Sequence, residues 1–324
     1  MTRPSRPFRD LLMFLQVMVV FVFLSYGGIA CVVVLIYGME ACNIVTGVLR
    51  ATVWRAVWTF CRFAAGATLT ACGGVALGNF YLVLEQIRKG TFCTEIHGRM
   101  LGRMARCGVI MASVLAAVMS FYIALERKDM AKAPYIFGVN GLLVAVYMPL
   151  AFLTAALAIQ GVRLLLWTLP PDEGNRGVKM SVVFRNLPNN PKLIFALLQG
   201  CCVAWLVPVW LRAARRIRWF YWSVQEGRGT VATLEIVDMA LWAVMLAFLF
   251  LMCGRLRRGQ AAATKRNARA LLFLAVGCGV HAVLGGAVVA YVMLFEWQAA
   301  CIGMMLALTV LRKLMVDRYA KRIY

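Results

Sequence analysis

The sequence predicts an all-α integral membrane protein with about eight transmembrane helices, and its pattern suggests two parallel four-helix repeats. Three observations carry that reading. First, 63% of the 324 residues are apolar, 15% are charged, and mean hydropathy is +0.79. Soluble domains sit near ~45–50% apolar and ~25% charged. A soluble globular domain, a disordered chain and a coiled coil are therefore excluded. Second, long apolar runs alternate with short basic segments, and eight crossings of ~20 residues would use about 160 apolar positions. Third, the 35 Lys and Arg against 13 Asp and Glu give a net charge of +22 and a pI near 10.1. These cations fall between the apolar runs, so they read as positive-inside signals and lipid-headgroup contacts rather than as a nucleic-acid surface.

The spans follow in order. Arg3, Arg6 and Arg9 precede an apolar run from Leu11 to Tyr37. Secretion signals carry ~7–15 apolar residues, far fewer than this run. Ala30-Cys31 has the look of a lipoprotein cleavage site, but apolar Val32 to Ile36 follow where a mature terminus would be polar. The run is therefore read as span 1, uncleaved. Hydropathy places spans 2 to 4 at 63–84, 107–125 and 136–158, with span 4 able to continue helically to Trp167. Spans 5 to 8 fall at 193–211, 236–253, 270–295 and 297–311. Pro149 and Pro208 lie inside spans 4 and 5, where a proline can kink a helix. The stretch 169–192, with Pro170-Pro171-Asp172 and Asn189-Asn190-Pro191, is the one obvious linker. It divides the chain into a four-span unit 1–168 and a second at 193–324.

Lys and Arg counts orient the chain. With the N-terminus inside, the cytoplasmic segments hold 24 of them and the outer segments 11. Both termini are then cytoplasmic. Arg212, Arg215, Arg216 and Arg218 oppose this count, since they follow span 5 on the outer side among Trp210, Trp219, Tyr221 and Trp222. Such a segment can lie as an interfacial helix; otherwise span 5 is not a simple crossing.

Both halves carry a basic segment between their second and third spans. With a shift of 169 residues, Ile87, Arg88, Lys89 and Gly90 meet Leu256, Arg257, Arg258 and Gly259, and Gly108 meets Gly277. Four spans per half is an even number, so the copies would run in one orientation. The stretch Gln86-Ile87-Arg88-Lys89-Gly90-Thr91-Phe92-Cys93-Thr94-Glu95, followed by Arg99, Leu101 and the run from Cys107, resembles a bacterial four-span membrane family, the domain of unknown function 2975. Ile96 departs from that family's usual Asn. The second half keeps Arg257-Arg258-Gly259 and has Asn267 but lacks the Phe, so it would be a degenerate copy. The resemblance implies a bacterial inner-membrane location and a four-span fold, and no assigned reaction.

The motif has a plain physical role. Gly90 permits a turn where span 2 ends, Phe92 can lie in the interface, and Thr94 can N-cap the next helix. Arg88 and Lys89 add charge to that loop. Arg99, Arg103 and Arg106 recur on one helix face. Anionic lipid is the expected partner of these basic loops; a homo-oligomer or a cytoplasmic protein docking there is the other reading. Gly74 and Gly78 form a G-x-x-x-G, a helix-packing signal within the chain or in a dimer.

Few side chains could carry chemistry. His97 lies in a basic segment and is expected in solvent. His281 lies near the middle of span 7 among Gly277, Cys278, Gly279, Gly285 and Gly286. A polar group at that depth should be neutral, face other helices and bond a backbone carbonyl or hydroxyl there. Asp238 is the deepest acid. It shares a helix face with Glu235, and the pair could meet the Arg212–Arg218 cluster. His281, Asp238 and Glu235 are thus the candidate intramembrane polar site. The eleven cysteines include no C-x-x-C and lie largely in apolar runs, where Cys behaves as a small hydrophobe. No H-E-x-x-H, G-x-S-x-G, P-loop or dinucleotide turn is present. The sequence therefore offers no catalytic residue, no metal ligand set and no cofactor site. The expectation is a non-enzymatic inner-membrane protein, regulatory or envelope-associated. The alternative is a small transporter or channel with a site at the repeat interface.

Overall fold

A computed structural model of the chain describes residues 6–47, 53–90, 95–126, 138–167, 191–225, 229–258, 265–288 and 294–323. Among the described residues there are eight α-helices and no strand: α1 Arg6–Val45, α2 Val53–Arg88, α3 Glu95–Glu126, α4 Gly138–Trp167, α5 Pro191–Gln225, α6 Gly229–Arg257, α7 Lys265–Val288 and α8 Leu294–Ile323. Each helix overlaps its expected span, and α8 also takes in the last two positions expected of span 7. Five are long and apolar enough to cross a membrane: Arg6–Val45, Ala56–Arg88, Ile96–Phe121, Ile236–Arg257 and Arg266–Leu284. Two shorter apolar stretches, Met148–Leu164 and Lys192–Val207, lie within α4 and α5.

Helix is the state these residues must adopt in a bilayer, because only it bonds every backbone N–H and C=O within the segment. Hydroxyl and amide side chains follow the same rule by bonding back one turn. Thr70 Oγ1 donates to the Gly66 carbonyl at 2.8 Å, Asn79 Nδ2 to Val75 at 2.7 Å, Ser113 Oγ to Val109 at 2.9 Å and Thr154 Oγ1 to Leu150 at 2.6 Å. These groups need no partner from another helix. Pro149 lies inside α4, where its ring removes one backbone donor.

The chain divides into two compact units, one of residues 19–183 with 1–4 and one of residues 5–18 with 184–324. The boundary at 183–184 falls in the expected linker. Residues 5–18, expected in the first half, group instead with the second unit. The local reason is the face of α1 they present: Phe8, Leu12 and Leu15 recur at helical spacing and are buried. Further along, α1 exposes Phe21, Phe23, Leu24, Leu35, Ile36 and Met39, a surface suited to acyl chains.

In the first unit α2 packs on α3 and α3 on α4. The α1–α2 contact is tied by the Tyr26 hydroxyl, which donates to the Leu69 carbonyl at 2.6 Å. A Cβ at Gly73 would run into the Tyr26 ring, so this is where the lack of a side chain on α2 is used. Gly74 comes no closer than 4.0 Å to Phe23 and Gly78 meets nothing within 4 Å. Within the chain, the close approach thus falls one residue away from the expected G-x-x-x-G. In the second unit α5 packs on α6, α6 on α7 and α7 on α8. The helix α5 runs unbroken from Pro191 to Gln225, through Pro208 and Arg212–Arg218. The arginine cluster is therefore the continuation of span 5 and not a separate interfacial helix. No Gly or Pro between Val209 and Gln225 ends the helix.

Candidate functional site

The site is built by three positions on α6 and two on α7. Asp238, Trp242 and Met245 stand four and three residues apart, so they share one face of α6. Gly277 and His281 stand four apart on α7 and face it. A Cβ at Gly277 would come 2.7 Å from the Met245 Sδ, so the glycine is the space the methionine fills. Gly279 similarly accommodates Met305 of α8, whose Sδ would lie 2.9 Å from a Cβ there. Small residues on α7 thus seat it between two methionines, and the seat brings His281 onto Asp238 and Trp242.

His281 and Asp238 are both buried, at 3% and 7% exposure. Trp242 Nε1 donates to His281 Nε2 at 2.7 Å, and His281 Nδ1 bonds Asp238 Oδ1. The indole N–H can only donate, so Nε2 must be the bare nitrogen and Nδ1 carries the ring proton. The tautomer is therefore fixed: Nδ1–H donates to the carboxylate. The indole meets the imidazole edge-on, with centroids 5.1 Å apart and planes at 88°. The same indole stacks on Trp205 of α5, with centroids 5.9 Å apart. Four side chains from three helices make one connected group.

This arrangement alters the expected partners. His281 faces the bundle, but it bonds a carboxylate and an indole rather than a backbone carbonyl or hydroxyl. Asp238 bonds His281, while the side chains of Arg212–Arg218, its expected partners, lie outside the described residues. The His281 bonds follow from register: α7 packs on α6 with residues 238–242 opposite 281. Glu235 lies on α6, and its side chain, like those of Arg212–Arg218, lies outside the described residues. Trp242 was not anticipated. Its signal is an Asp-x-x-x-Trp spacing that puts an acceptor and a donor on one helix face, and nothing in the sequence says which group will stand opposite. Chemically the group holds one proton between Nδ1 and the carboxylate, while the nitrogen a general base would use is closed by Trp242. Among the described residues no cluster of three or more His, Cys, Asp or Glu is placed to hold a metal.

The motif loop is described as far as Gly90. Gly90 takes a φ of +74°, and its N–H bonds the Ile87 carbonyl at 3.0 Å, closing the end of α2. Arg88 and Lys89 both reach Glu85 Oε1, at 2.9 and 3.3 Å. Their charge is thus partly offset by an acid one turn back. Phe92 and Thr94 lie outside the described residues. On α3, Arg99, Arg103 and Arg106 are exposed as one face. His97, expected in solvent, is 2% exposed. It falls on the opposite face of α3 with Leu101, Met104 and Ala105, all buried. In the second unit, Arg255 Nε donates to Asn267 Oδ1 at 3.1 Å and Arg257 Nη1 to Gln199 Oε1 at 3.3 Å. Gly259 lies outside the described residues.

A third polar cluster joins α1 and α2. Arg62 Nη2 bonds Glu40 Oε2 at 3.4 Å, and Thr59 Oγ1 donates to Glu40 Oε1 at 3.2 Å. The guanidinium also lies 4.9 Å from the Tyr37 ring centroid and 5.5 Å from that of Trp58.

No family model, curated protein or solved structure matches the chain.

Proposed function

We propose that the chain is a non-enzymatic, multi-pass protein of a bacterial inner membrane, regulatory or envelope-associated in role. In this reading it crosses the membrane eight times, keeps both termini cytoplasmic, and is built from two four-span units, the first a distant relative of the domain of unknown function 2975. The observation that carries the non-enzymatic reading is the closure of His281: Trp242 occupies Nε2 and Asp238 occupies Nδ1. The most deeply placed imidazole is held as a packing element between α6 and α7, and its reactive nitrogen is not open to a substrate. Five helices long and apolar enough to cross support the membrane placement, and the uneven Lys/Arg distribution supports the orientation.

A small proton-linked transporter is the second reading, favoured by one observation. A buried His–Asp pair within an apolar helix bundle is a form that proton relays take. Two experiments test the topology and separate the two readings, in that order. Reporter fusions at Tyr324 and within 169–192 should read cytoplasmic, and a fusion within 127–133 external; an external reading at Tyr324 would require an odd number of crossings. Purified protein in liposomes loaded with a pH-sensitive dye should pass no protons under an imposed gradient. A flux that His281→Asn abolishes would favour the transporter.

A further inference from the structure

One end of the α3–α4 pair gathers cations and donors around a buried amide. Arg163 of α4 is only 4% exposed. Its guanidinium lies against α3 at Gly102, where an added Cβ would come 2.8 Å from Nη1. Nη1 donates to Gln160 Oε1 at 2.9 Å. Gln160 is itself 1% exposed. A guanidinium only donates, so the amide oxygen must face it and the amide nitrogen must face elsewhere. That nitrogen, Nε2, is buried and has no hydrogen-bond partner among the described residues. A buried N–H left without an acceptor is costly, and a bound ion is one arrangement that satisfies it. Arg106 stands close enough for its charge to act on Arg163. It is exposed, and its Nε donates to the Gly102 carbonyl at 3.4 Å.

We propose that this end of α3–α4 binds a phosphate group on Arg163, Gln160 and Arg106. A tetrahedral oxyanion suits the arrangement because it accepts from several donors at once and pairs with the planar guanidinium fork. It would satisfy Gln160 Nε2 and reduce the repulsion between the two arginines. The phosphate comes from an anionic lipid headgroup or from free phosphate. The exposed Arg99 and Arg103 on the same helix extend the basic surface toward either source.

The full-length purified chain tests this. Thermal unfolding is followed in phosphatidylcholine nanodiscs with and without phosphatidylglycerol, and with inorganic phosphate against chloride at equal ionic strength. Stabilisation by inorganic phosphate assigns the free anion; stabilisation by phosphatidylglycerol alone assigns the headgroup. Gln160→Glu supplies Arg163 with a carboxylate inside the chain and puts negative charge where the anion would sit. It should fold and bind the stabilising probe at least about tenfold more weakly, with Arg163→Gln weakened likewise. Stabilisation of the unmodified chain by neither probe overturns the proposal, as does folded Gln160→Glu that binds as tightly as the unmodified chain. Should Gln160→Glu fail to fold, Arg106→Gln at its exposed position decides instead: binding weakened a few-fold supports the site, and unchanged binding overturns it.

Discussion

Gly108 in the first unit meets a small residue and the backbone of the next helix, whereas Gly277 and Gly279 in the second unit meet flexible side chains. A Cβ at Gly108 of α3 would lie 2.9 Å from Ala156 Cβ and 3.4 Å from both Ala156 Cα and the Phe152 carbonyl of α4. Gly277 and Gly279 of α7 instead meet the sulfurs of Met245 and Met305. The polar groups differ in the same sense. Unit one pairs Glu40 with Arg62 where their side chains are 23% and 27% exposed, while unit two buries Asp238 against His281. At Gly108 the first unit gains its fit from small residues, and its Glu40–Arg62 pair stays partly exposed. At Gly277 and Gly279 the second unit fills space with thioethers, which adapt, and it joins α6 to α7 through a buried polar group. The comparison also bears on the proposed repeat. The gap-free shift puts Gly108 on Gly277, yet Gly108 faces the following helix and Gly277 the preceding one. Gly279 is the residue of α7 that faces forward, so the shift of 169 at the loops is not the shift kept by packing.

The largest effect should come from breaking the buried pair. His281→Leu leaves the Asp238 carboxylate without its donor and the Trp242 indole without its acceptor. Removing one partner of a buried pair costs ~3–5 kcal/mol, more than an interhelical hydrogen bond in lipid, ~1–2 kcal/mol, which is what a carbonyl or hydroxyl partner would have implied. His281→Asn keeps a donor and an acceptor and should cost less. Adding Asp238→Leu to His281→Leu should recover most of the loss, since replacing both partners by apolar groups is often near neutral. Unfolding of the three variants in mild detergent checks this. A double variant no more stable than His281→Leu would mean that the pair is not what holds α6 on α7.

The glycines supply the next test. Gly108→Ala meets a neighbour that cannot move without shifting α4, and overpacking of that kind costs ~1–3 kcal/mol. Gly277→Ala displaces the far end of a methionine and should cost under ~1 kcal/mol. Equal losses at the two positions would erase the distinction between the units.

Much of this fold was legible because each long apolar run forms a helix. Apolar runs of sufficient length and basic segments between them locate α1 to α8 in order, and Gly90 marks the end of α2. The site was legible by residue type. An imidazole at His281 and an acid at Asp238 stand out in apolar surroundings, but a partner is chosen by the register between two helices, and register is a property of pairs. It depends here on Gly277 taking Met245, a fit no single-helix pattern reports. His97 was misread because its basic neighbours Arg99, Arg103 and Arg106 occupy one face of α3 while His97 occupies the other. The place of residues 5–18 was misread for a similar reason: Phe8, Leu12 and Leu15 announce a buried face, and nothing in the sequence says which unit buries it.

The smallest effect should be at the exposed pair, and it closes the comparison. Glu40→Gln keeps a carbonyl oxygen for Thr59 and removes the charge facing Arg62. The guanidinium retains the faces of Tyr37 and Trp58, and Trp58 is itself held by Phe121 of α3 at a ring separation of 4.7 Å. A cation on aromatic faces at such a site keeps ~0.5–1 kcal/mol of its own, so it does not become an orphan when the acid is lost. Partly exposed ion pairs contribute ~0–1 kcal/mol, and their contribution falls as salt screens it. Glu40→Gln should therefore cost under ~1 kcal/mol at low salt and still less at high salt. Asp238→Asn preserves an acceptor for Nδ1–H but removes a buried charge, so its cost should be the larger of the two and should not change with salt. Thermal unfolding of both variants at two salt concentrations measures the difference. A salt-sensitive loss at Asp238, or a loss at Glu40 as large as that at Asp238, would show that burial does not separate the two pairs.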